Sequence, residues 1–304
     1  MTWVVAYFLP GAVIAIMFAV GLDLRLRDFT RLVQFPKAAA VGLVGQLVLL
    51  PAIGFALAFT VRFDVSLAIG IVLLAACPGG ATSNMVAYLA RANTALSVSL
   101  TTITSVVSFL FIPLLVNLGL AWFGATQADL HLPMLATVQR IFLFTIVPIL
   151  AGMAVRKAFP GVIKAMQPAI QRLSLLLLLT ILAVVFVTNW DKLIADFWRL
   201  APAAVALTTL AGLAGYGAAR AAGLDRTDRF TISIEVGFQN IALAQLIAAT
   251  ILERPELGLL AAVYPFANWV PLIPWLMIFK RGNHPTPPGQ TPPTDRKKGV
   301  DGPS

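Results

Sequence analysis

The chain has 304 residues, of which 59% are hydrophobic and only 12% charged, with a mean hydropathy of +0.88. Soluble domains carry about a quarter of their residues charged, so this composition excludes a soluble globular protein and places the chain in a bilayer. The net charge of +9 would suit a nucleic-acid partner. However, the positive residues fall in short joints between apolar runs, where they set topology and meet anionic headgroups, and no nucleic-acid module is visible.

The opening MTWVVAYFLPGAVIAIMFAVGL lacks a positive n-region and exceeds signal-peptide length, which predicts a retained first span over 5 to 22. Further apolar runs predict spans over 37 to 60, 66 to 90, 94 to 121, 133 to 155, 169 to 189, 200 to 222, 229 to 252 and 257 to 279. Each is long enough to cross about 30 Å of hydrocarbon. The expected fold is therefore an all-α polytopic membrane protein of about nine transmembrane helices, with its membrane domain over 1–280. From 281 to 304 the chain turns Pro-rich and polar, which predicts a disordered cytoplasmic tail. Orientation follows from the basic residues. Seventeen of the 22 fall on one set of joints: Arg25, Arg27, Arg31, Lys37, Arg91, Arg156, Lys157, Lys164, Arg172, Arg220, Arg226, Arg229 and five from Lys280 onward. That set is cytoplasmic, so the N-terminus faces out and the C-terminus in. A lone Cys77 excludes an intramolecular disulfide.

Two spans are interrupted. In CPGGATSNMVAYLARAN, residues 77–93, Pro78 removes a backbone donor and Gly79 and Gly80 weaken the helix, just before Thr82, Ser83 and Asn84. In SIEVGFQNIAL, residues 233–243, Gly237 stands amid polar residues. Freed backbone at mid-membrane is tolerated only inside protein or beside a watery cavity. The interrupted spans are the third and eighth of the series, so they run in opposite directions. Paired broken helices in oppositely oriented halves point to a secondary transporter built from inverted repeats, with its site where the breaks meet.

Of the thirteen acids, only Glu235 lies well inside a span. An intramembrane acid costs several kcal/mol and requires a polar or cationic partner. A protonated carboxyl bonded to a neighbouring helix is the bland reading. A bound cation held by hard oxygens is the sharper one, and sodium suits it, because His131 and His284 lie outside the spans and no His or thiolate cluster exists for a transition metal.

CPGGATSN, ALSVSLTTITS and EVGFQNIALA together resemble the signature segments of the bile acid:sodium symporter family, and the resemblance covers about residues 5 to 279. It implies a core domain with two crossing broken helices beside a panel domain, and sodium as the coupling ion, with two ions expected. It also implies a first sodium site of Ser83, Asn84, Ser97, Thr101 and Glu235. The i, i+4 spacing of Ser97 and Thr101 independently puts both hydroxyls on one helix face. The implied second site is Glu235, the carbonyls of Val236 and Phe238, Gln239, and Gln46 from an earlier span. The substrate anion is expected near Gly80, Ala81, Asn240 and Asn268. Family members that take bile acids or other organic anions often carry a His-Asn pair in the last span. Asn268 and Trp269 stand there instead, which argues against bile-acid transport.

The expected function is sodium-coupled import of a small organic anion by alternating access in the bacterial inner membrane, with sodium, the anion and the bilayer as partners and no obligate protein partner evident. A proton-coupled carrier would use Glu235 as the titrating group. A membrane-embedded enzyme is disfavoured, since the spans offer one Glu, no His and the lone Cys77, which make no acid-base pair. A channel is disfavoured because the polar residues cluster at two breaks instead of lining a path.

Overall fold

The computed structural model describes residues 7–24, 34–62, 64–123 and 134–281. The joints holding Arg25, Arg27, Arg31 and His131 and the expected tail from 282 on lie outside the described residues. In chain order the helices are α1 (Leu9–Asp23), α2 (Pro36–Thr60), α3 (Val65–Ala76), α4 (Ala81–Leu89), α5 (Thr94–Phe123), α6 (Met134–Ala158), α7 (Pro160–Thr188), α8 (Trp190–Ala221), α9 (Arg226–Gly237), α10 (Ile241–Ile251), α11 (Leu259–Ala267) and α12 (Trp269–Arg281). Among the described residues the only β pairing is one isolated bridge. Six stretches are long and apolar enough to cross a membrane: α2, α5, α6, α7, α8 and the continuous Pro255–Lys280, in which a 3-10 turn leads into α11 and α12. The chain is an integral, multi-pass membrane protein.

Proline shapes the helices locally. In α2, Pro51 has no N–H to give to the preceding turn, and the helix widens just before it into a π turn over Gly45–Leu49 that carries Gln46. α6 does the same over Phe142–Ile146 ahead of Pro148. The sequence placed two spans at 169 to 189 and 200 to 222, whereas α7 and α8 begin at Pro160 and Trp190. Hydropathy marks only the part of a helix that lies in hydrocarbon. Pro160 is a favourable first helical residue, and the charged Lys164, Arg172, Asp191, Lys192 and Arg199 sit on the polar ends of the same helices, where their side chains reach water.

Helix α1 packs chiefly on α6 and then α7. Helices α2, α3, α5, α8, α9 and α11 pack mainly on one another. The α1–α6 contact is backbone against backbone: a Cβ on Gly21 would collide with the Ile149 carbonyl, and one on Gly152 with the Phe18 carbonyl. Lipid is as apolar as a leucine face, so helices in a bilayer gain from such close approach and not from hydrophobic burial. Gly152→Leu is therefore expected to lower the thermal midpoint of the detergent-solubilised protein, with an overpacking cost of about 1–3 kcal/mol or more. Gly161→Ala, at a position with open space around its Cβ, should stay within about 0.5 kcal/mol of the parent. Parallel melting curves check both.

Candidate cation site

The two breaks are the origin of the site. A residue before proline is pushed out of the helical region, and Cys77 ends α3 extended, with ψ 149°. Gly80 is extended as well, at φ −110° and ψ 170°, and α4 starts after it. In the second break Phe238 is extended, and Asn240 caps α10 by accepting from the Leu243 N–H at 3.1 Å. The freed backbone groups find each other. Gly79 and Gln239 form the antiparallel bridge, and the Asn240 N–H donates to the Pro78 carbonyl at 2.9 Å.

Glu235 stands one turn before the second break and is 0% exposed. The Ser97 hydroxyl lies 2.7 Å from its Oε2, and the Thr101 hydroxyl donates to its Oε1. The same two hydroxyls also reach Asn84 Oδ1, at 2.7 Å and 3.3 Å. Ser83, buried beside them, donates to the Gly80 carbonyl at 2.7 Å, and its hydroxyl borders the carboxyl. Among the described residues no Lys, Arg or His forms an ion pair with Glu235. The carboxyl fits only because position 79 is glycine: a Cβ there would collide with Glu235 Oε1.

The arithmetic of protons is informative. Two hydroxyls, each with one proton, make four contacts to acceptor oxygens. Either the Asn84 amide is turned so that its nitrogen faces the hydroxyls, or a cation sits among the oxygens. The first arrangement calls for a protonated Glu235, since a buried carboxylate without a positive partner is costly; the second accommodates the carboxylate. All the atoms are hard oxygens, and among the described residues no group of three or more His, Cys, Asp or Glu is placed to hold a metal ion. The donor set fits an alkali cation.

A second polar group adjoins it. Gln46 Nε2 donates to Gln239 Oε1 at 2.7 Å and to the Cys77 carbonyl at 3.1 Å, and Gln239 Nε2 donates to the Val236 carbonyl at 2.7 Å. Gln46 Oε1 is buried and has no donor. Of the residues expected near the anion, Gly80, Ala81 and Asn240 flank the two breaks, Ala81 being exposed on α4. Asn268 is buried elsewhere in the network, accepting from Thr208 at 2.5 Å.

Sequence reasoning missed two supports. Tyr264 on α11 is fully buried and donates to the Gly237 carbonyl at 2.6 Å, inside the second break. Asn93 donates to Asp228 at 2.7 Å, and its own N–H to Thr231 at 3.0 Å, which ties the start of α5 to the start of α9. Asn93 lies four residues before Ser97 and Asp228 seven before Glu235, so the tie repeats the Ser97–Glu235 contact farther along the same helix faces. That periodicity was the available signal; nothing local marked Tyr264.

Residues 10–196 match the model of the Sodium Bile acid symporter family. The chain is 30% identical over 248 residues to the "Uncharacterized sodium-dependent transporter YocS" of Bacillus subtilis (strain 168), a match covering 81% of this chain and 75% of that protein. It is 30% identical over 248 residues to the "Probable sodium/metabolite cotransporter BASS2, chloroplastic" of Oryza sativa subsp. japonica, and 30% over 246 residues to the human "Sodium/bile acid cotransporter 4". These two matches cover 82% and 79% of this chain but only 58% and 55% of the relatives' own lengths.

The part played by Tyr264 is testable from geometry alone. Tyr264→Phe leaves the Gly237 carbonyl buried and without its donor, and is expected to destabilise the protein by about 1–3 kcal/mol. Thermal melts of the two proteins in one detergent measure the loss.

Proposed function

The chain belongs to the sodium bile acid symporter family, and on that footing we propose that it is a sodium-coupled secondary transporter that imports a small organic anion by alternating access. The family is one of transporters, and the chain is no enzyme. The observation that carries the reading is the oxygen cluster around Glu235, where a buried carboxyl and the oxygens of Asn84, Ser97 and Thr101 meet with too few protons and no basic side chain. Sodium among Ser83, Asn84, Ser97, Thr101 and Glu235 supplies the missing positive charge. A second sodium is assigned to Glu235, Gln46, Gln239 and the carbonyls of Val236 and Phe238, supported by the buried Gln46 Oε1 that has no donor.

The rest of the reading concerns the architecture around this cluster. Nine spans form two inverted repeats, with α3–α4 and α9–α10 as the broken, crossing helices. The core is α2 to α5 with α8 to α12, and the panel is α1, α6 and α7, in line with the preference of α1 for α6 and α7. The membrane domain spans 1–280. The N-terminus lies outside and the C-terminus in the cytoplasm of a bacterial inner membrane, as the basic joints require. The N-termini of the half-helices α4 and α10 attract the anion beside Gly80, Ala81 and Asn240, and Asn268 is proposed as its fourth contact. Two sodium ions with a monoanion move net positive charge inward, so an inside-negative potential assists uptake by about 2.3 kcal/mol per charge per 100 mV.

Thermal stability in detergent, titrated with NaCl against matched KCl or choline chloride, tests this reading. A ligand that binds only the folded state at 100 times its Kd stabilises by about 2.7 kcal/mol. A sodium-specific rise in thermal midpoint is expected for the parent and its loss for Glu235→Gln. An equal response to all three salts, with uptake that follows pH, would instead assign Glu235 to proton coupling.

A further inference from the structure

Asn93 closes the short joint between α4 and α5, in which Arg91 takes a left-handed φ of 57° and the Ala92 N–H returns to the Ala87 carbonyl at 2.9 Å. Its side chain bonds at both ends. Oδ1 caps α5 by accepting from the Leu96 N–H at 3.0 Å, and Nδ2 donates to Asp228 Oδ1 at 2.7 Å. The Asn93 backbone N–H donates to the Thr231 hydroxyl at 3.0 Å. One helical turn farther along both helices, Ser97 meets Glu235, so α5 and α9 run parallel and the Asn93 bonds are the first rung between them.

Asp228 is an expensive residue to keep there. It is 8% exposed, and among the described residues no Lys, Arg or His forms an ion pair with it. The nearby Arg226 and Arg229 bond instead to the carbonyls of Ile278 and Leu224. A buried acid without a basic partner is costly, yet an ionised acceptor makes a hydrogen bond roughly twice as strong as a neutral one. The bond to Asn93 is therefore a strong one, and what it holds is the cation site. The oxygens of Asn84, Ser97 and Thr101 come from the two helices that Asn93 joins, and those of Glu235 from α9. An ionised carboxyl with no cation beside it is better solvated apart than gathered, so the empty cluster favours a separation of α5 from α9. A site that must first be gathered binds more weakly, in proportion to the fraction of molecules already gathered.

We propose that Asp228 is a positioning residue for the cation site: through Asn93 it holds the joint of α4 and α5 against α9, and so keeps the oxygens gathered before the ion arrives. The inference rests on the sodium reading of the Glu235 cluster. Asp228 touches no ion itself, and its effect reaches sodium only through the bond to Asn93.

Equilibrium binding of radioactive sodium to the full chain in detergent, competed with NaCl at an ionic strength held constant by choline chloride, tests it. Asp228→Ala removes the acceptor. Asn93→Ser keeps the cap of α5 and the charge of Asp228, but no longer reaches the carboxyl. Both are expected to raise the half-saturating sodium concentration about fivefold, the ratio for one net hydrogen bond of about 1 kcal/mol. Asp228→Asn, which loses the charge and keeps an acceptor oxygen, should stay within about twofold of the parent. If both residues act through one bond, the double variant Asn93→Ser with Asp228→Ala costs no more than either alone. A residue that only stabilises the fold would lower the thermal midpoint in choline chloride and leave half-saturation where it was. That result, a double variant at the product of the two single effects, or a shift in Asp228→Asn as large as in Asp228→Ala with Asn93→Ser at the parent's value would overturn the proposal alone. A parent that binds no sodium would overturn the sodium reading and this inference with it. Should Asp228→Ala fail to fold, Asn93→Ser decides, and half-saturation equal to the parent's overturns the proposal.

Discussion

Backbone that leaves a helix at membrane depth has no water to turn to, so its donors and acceptors must be paired inside the protein. In this molecule the two segments that leave their helices, at residues 77–80 and 238–240, pair with each other. Neither break is stable alone. Pro78 and the extended Cys77 free carbonyls in the first, the extended Phe238 to Asn240 strip helical partners from the second, and the Pro78 carbonyl and Asn240 N–H then satisfy one another across some 160 residues of chain. What looks like two defects in sequence is one joint in space, and the helices around it are arranged to hold it.

The joint determines the chemistry beside it. With Gly79 bridged to Gln239, Glu235 on the preceding turn of α9 points at the backbone of Gly79, and only the missing Cβ leaves room for the carboxyl. Helix α5 then presents Ser97 and Thr101 to the same carboxyl from one face, while Asn84 arrives from the half-helix that starts at the first break. Three segments therefore contribute oxygens to one spot, each placed by the same pairing of breaks. The Asn93–Asp228 and Tyr264–Gly237 hydrogen bonds fix the ends of this arrangement, one at the start of α9 and one inside the break.

Much of this was legible in the sequence, and the reason is that its signals are local. Pro78-Gly79-Gly80 announces a break, a lone acid in an apolar span announces a partner, and Ser97 with Thr101 announces a shared helix face. The helix starts at Pro160 and Trp190 were not legible, because hydropathy reads depth in the membrane and not hydrogen bonding. Gln46 and Tyr264 were the harder cases. Gln46 faces Gln239 from a π turn set by Pro51, and Tyr264 meets Gly237 from 27 residues away; a buried polar side chain in an apolar run says that a partner exists but not which one. Asn268 shows the same limit from the other side, since its partner, Thr208, sits on a helix whose local sequence suggests only packing.

The two polar groups are not independent. Glu235, Val236 and Gln239 belong to consecutive turns across one break, and Gln239 gives its backbone to the bridge with Gly79 while its side chain joins Gln46 to the Val236 carbonyl. A cation drawn to Glu235 therefore acts on the geometry of the bridge, and the bridge on the residues of the second group. On the proposed reading this is how one ion prepares the site for the next, and how both fix the ends of α4 and α10 that face the anion. The physical coupling needs no long pathway, because the ions, the breaks and the half-helix ends all share the few residues from Glu235 to Asn240.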